Sequence, residues 1–500
     1  MNRRQPTANQ NGLRVHGPHL ARPPIFRLTR ILIVAAILAL PAGTASGQRG
    51  ASIDELLSGP AAQPAFWGVY VYDLTTEAPY YSHGAQNGYL PASNQKILTS
   101  AAALDALGSN HRYRTVLYLD GNLDGSTLRG DLVIRGAGDP TFGSKDAPGP
   151  DPLRDWARRL ADMGVTRFEG RIVGDDNVFD DRPYSEGWDI DYVTSEASQW
   201  VGASIGGLAY SDNVVDVRIT ARSPGTAPQI RRQPDGFLQI RNQITTASRT
   251  RGIGVTTRRD FGSEQLFLEG SIPRTYDGTI VVPVTNPTAF AVESFARYLS
   301  EAGIEVAAGA YDIDDLDGFT YATDTPLFVY VSPTMDEILR IVNKESNNFY
   351  AEQVFRSIGW GGSAAAAENR VKQLLQRAGA STRAVAIRDG SGLSRKNMVT
   401  PEAMGRLLAY MYEHPERDAF FDSLARGGEA GSTLRYRLHN VSVQAKTGSL
   451  EFVRALSGYV TAPDGRTFAF SILVNNYSGP SYQITQTIDR IVMELAAFTS

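Results

Sequence analysis

The sequence predicts an α/β (α+β) protein in which an antiparallel sheet is flanked by helices and interrupted by a long β-rich insert. Three observations carry this. Near the C-terminus, Val441–Gly448, Ala455–Val460 and Thr467–Asn476 read as three strands, with an Asp464-Gly465 turn before the last. They are followed by Ile484, Ile488, Ile491, Val492 and Leu495 at helical spacing, which suits a helix covering one face of such a sheet. Between Arg114 and Phe328 the chain instead shows short strands and Gly/Asp-rich turns.

The elements follow in order. Six Arg fall in the first 30 positions, no acidic residue precedes Asp54, and the apolar run Ile31–Leu40 leads into small residues at Pro41–Gln48. This is the pattern of an export signal over residues 1–48, and the run is too short to cross a bilayer as a helix. From Ala51 a short helix is expected, then strands, with Trp67–Leu74 alternating. Ser93–Leu107, rich in Ala and Leu, reads as a helix closed by Gly108. Within the β-rich region two helices are expected, near Leu153–Met163 and Ala289–Ala302. Thr334 and Glu337 form a capping-box pattern ahead of a resumed helical stretch. The predicted division is therefore a signal over 1–48, a catalytic domain split between 49–115 and 330–500, and between those segments a β-rich insert of two subdomains over 116–329.

Composition narrows the chemistry. The chain has no cysteine, which excludes thiolate zinc sites, iron–sulfur clusters and disulfides. Its six His are scattered without metal-ligand spacing. A net charge of -4 gives no basic field for nucleic acid. The acidic stretches Gly174–Asp181 and Asp312–Gly318 lack EF-hand spacing and read as solvated loops. Gly136–Gly143 lacks phosphate-loop spacing and reads as a turn.

Only six of the 49 basic residues are lysine, so where lysine is used is informative. Lys96 follows Ser93 by three positions, on one face of the predicted helix. A serine hydroxyl needs a base to become a nucleophile, and a desolvated lysine can serve. Arginine cannot, because its guanidinium keeps its proton. A second lysine lies in Lys446-Thr447-Gly448-Ser449, where a cation, a hydroxyl and bare backbone on a strand offer a surface for a peptide. Ser346-Asn347-Asn348, between two helical segments, supplies a hydroxyl to relay a proton and an amide to hold substrate. Ser211-Asp212-Asn213 is closer in wording to a Ser-Asp-Asn motif, but it leads into an alternating strand inside the insert and reads as a turn.

The ordered set S-x-x-K, S-x-N and K-T-G is shared by penicillin-binding proteins and class A β-lactamases. With Gly88–Leu104, Arg135–Phe142, Asp389–Thr400, Gly431–Leu438 and Ala445–Val460, the chain resembles the D-alanyl-D-alanine carboxypeptidase/endopeptidase family, the class C low-molecular-mass penicillin-binding proteins. The long interval between Ser93 and Ser346 fits that family rather than class A β-lactamases.

The resemblance implies a penicillin-binding/β-lactamase-like catalytic domain acting on peptidoglycan stem peptides through an acyl-enzyme, with β-lactams as covalent inhibitors and no cofactor or metal. It implies Ser93 as nucleophile, Lys96 as base and Ser346 as proton relay. It assigns substrate binding to Asn348, Lys446, Thr447, Gly448 and Ser449, with the N–H groups of Ser93 and Ser449 as oxyanion hole. Asn347 stands where related enzymes often have Asp. The expected location is the periplasm or the wall side of the membrane, with room for peripheral membrane association. The alternatives are a β-lactamase-like hydrolase and a catalytically idle penicillin-sensing protein.

Overall fold

The computed structural model describes residues 45–194, 202–250, 254–307, 309–322 and 325–499. The predicted export segment lies outside the described residues as far as position 44. From there, helix α1 (Ala45–Ser58) leads to strands β1 (Phe66–Asp73) and β2 (Ala78–His83). Asp73 shapes the turn between them, its carboxylate accepting from the N–H groups of Thr75 and Thr76. A single 3-10 turn, Ala92–Asn94, precedes α2 (Gln95–Leu107), which stops where Gly108 takes φ +81°. Ser93 therefore lies in the tighter turn before the helix, not in its first α-turn.

The segment from 114 to 331 builds three sheets. The largest joins β3 (Arg114–Asp124), β4 (Thr127–Arg135), β5 (Arg167–Glu169), β6 (Ile172–Asp175), β13 (Glu305–Val306), β14 (Ala310–Asp312) and β15 (Pro326–Val331). Two three-stranded sheets combine β7 (Val214–Thr220) with β8 (Gln229–Gln233) and β12 (Asp277–Pro283), and β9 (Gln239–Ala247) with β10 (Gly254–Arg258) and β11 (Gln265–Pro273). The two expected helices are α3 (Pro152–Asp162) and α5 (Pro287–Glu301). Each opens with proline after a capping residue: Asp151 accepts from Leu153 and Arg154, and Asn286 from Ala289. Trp156, Leu160, Phe290, Phe295 and Leu299 join them in one core. A strap containing the short α4 (Asp191–Thr194) runs from this region toward residue 389.

After Thr334 the chain is helical again. Glu337 accepts from the Thr334 N–H at 2.9 Å, the reciprocal half of the expected capping box. Helix α6 (Met335–Arg340) ends in one π-turn, Ile341–Glu345, and is followed by α7 (Asn348–Ser357), α8 (Ala364–Arg377), α9 (Pro401–Tyr412) and α10 (Arg417–Ser423). The chain closes with β16 (Ala425–Arg426), β17 (Val443–Leu450), β18 (Val453–Thr461), β19 (Thr467–Asn475) and α11 (Ser481–Ala496).

These strands and β1–β2 form an antiparallel six-stranded sheet in the order β16-β17-β18-β19-β1-β2. Every residue of β19 is buried. Phe468, Phe470, Ile472 and Val474 share a core with Ile53, Leu57, Ile484 and Ile488 of α1 and α11. Ala469 and Leu473 join the core of α2, α7, α8 and α9 on the other side. A strand covered on both faces has no use for alternation, and so Thr467–Asn475 is apolar almost throughout.

Candidate active site

The turn carrying Ser93 is held from both ends. Asn475, the last residue of β19, donates to the carbonyl of Leu90 at 3.1 Å and accepts its N–H at 2.8 Å, as a neighbouring strand would. Asn94 donates to Ser457 on β18 at 2.7 Å. Between them, Ala92 is forced to φ +47°. An alanine in the left-handed region costs about 1–2 kcal/mol, so surrounding contacts must impose it. One of them is visible at Gly392: a Cβ there would lie 1.9 Å from the Ala92 carbonyl oxygen.

Lys96, on the first turn of α2, points back beneath Ser93. Its Nζ lies 3.3 Å from Ser93 Oγ, and it donates to Asn348 Oδ1 and to the Ser391 carbonyl, both at 2.7 Å. The side chain is fully buried. Burial pushes its pKa down to about 7, against the opposing pull of Asp389 and Glu352. Ser93, Ser346, Asn348 and Thr447 are partly exposed, so a buried amine stands behind accessible hydroxyls.

Ser346 and Asn348 are presented by the junction of the π-turn and α7. Ser346 takes φ +65°, and Asn347 caps α7 by accepting from the Tyr350 N–H at 3.0 Å. An asparagine performs this capping as well as an aspartate, which accounts for the departure at that position. With its oxygen committed to Lys96, Asn348 keeps an amide nitrogen that makes no hydrogen bond among the described residues.

On the facing strand β17, Lys446 is fully buried and donates to Ser346 Oγ at 2.8 Å and to the Thr447 carbonyl at 3.0 Å. Burial, reinforced by Lys96, pushes its pKa well below the ordinary lysine value. Gly448 lets the strand approach the serine turn: a Cβ there would be 2.8 Å from the Pro91 carbonyl oxygen and 3.0 Å from Ala455 Cβ. Strand β16 pairs only with Gln444 and Ala445, so β17 from Lys446 to Leu450 pairs with β18 alone among the described strands. Thr447 and the exposed Ser449 lie on this open stretch.

The structure thus brings Ser93, Lys96, Ser346, Asn348 and Lys446 together. Ser211–Asn213 forms a strained turn in the 116–329 region, with all three residues at positive φ and the Ser211 N–H donated to the Phe142 carbonyl, and it makes no hydrogen bond to Ser93 or Lys96 among the described residues. The stretch Asp389–Thr400 carries part of the family resemblance, but sequence reasoning gave it no role; it is the loop behind Lys96. Buried Asp389 accepts from the Gly392 and Ser394 N–H groups at 2.9 and 2.6 Å, from Asn397 at 2.6 Å and from the Trp188 indole at 2.9 Å. That winding aims the Ser391 carbonyl at Lys96. The signal was present in Asp389-Gly-Ser-Gly, an acid followed by residues free to turn around it.

Lys344 pairs with Glu429 at 2.7 Å. Arg395 lies between Asp189 and Glu451, at 3.0 and 3.7 Å. The two acidic stretches of the insert meet, with carboxylate oxygens of Asp176, Asp312 and Asp314 all within 4.8 Å of one another. Burial and the neighbouring Asp176 push Asp312 up to about 7, so a proton there relieves their repulsion near neutrality.

Comparison with known proteins shows the family and the fold. Residues 50–495 match the family described as D-Ala-D-Ala carboxypeptidase 3 (S13). The chain is 30% identical to a D-alanyl-D-alanine carboxypeptidase of Actinomadura sp. (strain R39), over 95% of this chain and 89% of that one. Its fold is similar to that of penicillin binding protein 4 (dacB) from Haemophilus influenzae, with a TM-score of 0.76 and 23% identity over 89% of this chain and 99% of that one. The same protein complexed with a β-lactam gives a TM-score of 0.71 and 22% identity over 89% of this chain and all of that one.

Proposed function

The chain belongs to the D-Ala-D-Ala carboxypeptidase 3 (S13) family of serine peptidases, and from that premise we propose that Ser93 is the residue acylated and Lys96 the base that activates it. The observation that carries this is the Lys96 amine, buried, poised near neutrality and 3.3 Å from the Ser93 hydroxyl.

The steps are those the family resemblance implies, and the contacts support them. A stem peptide ending in D-Ala-D-Ala lies along the open edge of β17, with Asn348 binding the acyl-side amide. Lys446 and Thr447 hold the terminal carboxylate. Lys96 takes the hydroxyl proton as Ser93 Oγ attacks the penultimate D-Ala carbonyl. The N–H groups of Ser93 and Ser449 receive the oxyanion, a kind of contact worth about 10²–10³ in rate per donor. Ser346 passes a proton to the departing amine, the C–N bond breaks and D-Ala leaves. Water then cleaves the ester and restores Ser93. The same chemistry on a cross-link, where the leaving amine belongs to a second stem, is DD-endopeptidase action. A β-lactam offers its amide to Ser93 in the same way and remains as a penicilloyl ester.

We place this activity in the segments 49–115 and 330–500 of the chain, with 116–329 as insert. We also propose that the protein is exported, on the strength of the basic and apolar N-terminal pattern. No described helix is long and apolar enough to cross a membrane.

The test is Lys96→Arg, assayed by labelling with fluorescent penicillin, mapping of the labelled peptide and release of D-Ala from a pentapeptide. Label on Ser93 in the parent and a loss of more than about 10³-fold in acylation rate in the folded variant are expected. Normal acylation in that variant would refute the assignment.

A further inference from the structure

Beneath Lys96 lies a buried acid that these steps do not employ. Glu352 is fully buried on α7, four residues after Asn348, so the two share a side of the helix. Its Oε1 accepts the N–H groups of Gly390 at 3.1 Å and Ser391 at 2.8 Å, and its Oε2 accepts the Ser185 hydroxyl at 3.3 Å. The next atom along this chain of contacts is the Ser391 carbonyl, which accepts from Lys96. Thr99, one turn after Lys96 on α2, donates to the Gly390 carbonyl at 2.7 Å and ties the same peptide to the helix.

We propose that Glu352 is a positioning residue of the acylation site: it clamps the Gly390–Ser391 backbone so that the Ser391 carbonyl meets the Lys96 amine, and its carboxylate charge acts on that amine. The proposal deepens the reading of Lys96 as base and rests on it.

An amide oxygen would satisfy two N–H donors as well as a carboxylate does, so the charge calls for its own explanation. Burying an ionised acid beside a second one is costly unless a cation compensates. Four charged groups lie around Glu352. Asp389 faces Glu352 from the 389–397 loop and Lys96 faces it from α2, while Lys446 lies beyond Lys96 on β17. Arg356, one turn further along α7, is occupied by Asp180. Burial and Asp389 raise the pKa of Glu352, and burial lowers that of Lys96 while both acids raise it. Acid and amine are thereby brought close in proton affinity across one peptide group. Removing the carboxylate charge removes an attraction that favours the ammonium form, so the free amine should persist to lower pH.

The experiment compares the pH dependence of kcat/KM for D-Ala release in the parent, Glu352→Gln and Glu352→Asp, with melting temperatures recorded alongside. Glu352→Gln keeps an acceptor for both N–H groups. Wherever Glu352 is ionised in the parent, the acid limb of this variant is expected lower, by up to about one pH unit, a gain of up to about tenfold in free amine. Glu352→Asp keeps the charge on a shorter arm, and its limb should stay in place while the plateau rate falls. An acid limb that stays put in Glu352→Gln overturns the proposal, whether the rate is normal or lowered uniformly. So does a limb that rises in Glu352→Gln, or one that moves as far in Glu352→Asp. If Glu352→Gln does not fold, Ser185→Ala removes one donor from the carboxylate and favours its neutral form. The limb must then fall by a smaller amount, and a fixed limb overturns the proposal. Failure here is distinct from failure of the base assignment, which shows as acylation surviving in Lys96→Arg.

Discussion

Two buried lysines face one cleft, and burial leaves each holding its proton loosely. For Lys96 the consequence is kinetic. Acylation needs the free amine, so with a pKa of about 7 the rate should be flat above neutrality and fall tenfold per pH unit below it. A pH profile of penicillin acylation checks this, and a plateau that begins only above pH 9 would contradict it. For Lys446 the consequence is a binding linkage. A substrate carboxylate stabilises its ammonium form, so binding a D-Ala-D-Ala peptide should be accompanied by proton uptake at any pH where the free lysine is uncharged. Calorimetry in two buffers of different ionisation enthalpy measures the number; zero uptake would mean that Lys446 is already charged in the free enzyme. Ser93, Lys96, Ser346 and Lys446 could be read from the sequence because their chemistry resides in side-chain type. Ser391 could not, because it acts through a backbone carbonyl that any residue possesses.

At the scale of elements, the site depends on a strand and a turn packed closer than side chains usually allow. Gly448→Ala should push β17 away from the Ser93 turn, since the added methyl meets the Pro91 carbonyl at 2.8 Å. We expect acylation to slow by about 10²-fold, the scale of a roughly 1 Å misplacement, with little change in melting temperature. An unchanged rate would show that the strand can retreat without effect. On the back of the sheet, Ile488→Ala in α11 removes a fully buried side chain and should destabilise by about 2–5 kcal/mol, measured by denaturant unfolding, while the active site keeps its rate. Strands and helices were legible because their periodicity reports burial, as at α11. The 3-10 turn was not: Ala92 adopts its positive φ against local preference, with Gly392 packed on its carbonyl and Asn475 holding Leu90 just before it, both distant in sequence.

Arg356 is one of several contacts that join the 116–329 region to α7. This guanidinium is 1% exposed on α7 and pairs with Asp180, while donating to the Arg182 carbonyl at 2.8 Å and to the Gly362 carbonyl at 3.0 Å. It fastens the helix that bears Asn348 to the strap leaving the insert. Arg356→Ala should cost about 2–5 kcal/mol, because it leaves a cavity and strips two buried carbonyls of their donor while Asp180 stays partly in water, and a melting curve would reveal it. The sequence showed a β-rich middle region, but the way its segments sort into three sheets depends on pairings between residues far apart in the chain, such as Glu305 with Arg167.

The brevity of β16 has a consequence for which polymers the enzyme accepts. An unpaired sheet edge is a hazard, because it will bind any exposed strand. Here it amounts to five residues, Lys446 to Leu450, backed by the turn that holds Ser93. A strand already hydrogen-bonded within a folded protein has neighbours that cannot follow it into so short a berth. A loose peptide tail has none, so an edge this short is shaped for a free chain end rather than for a strand taken from a folded sheet.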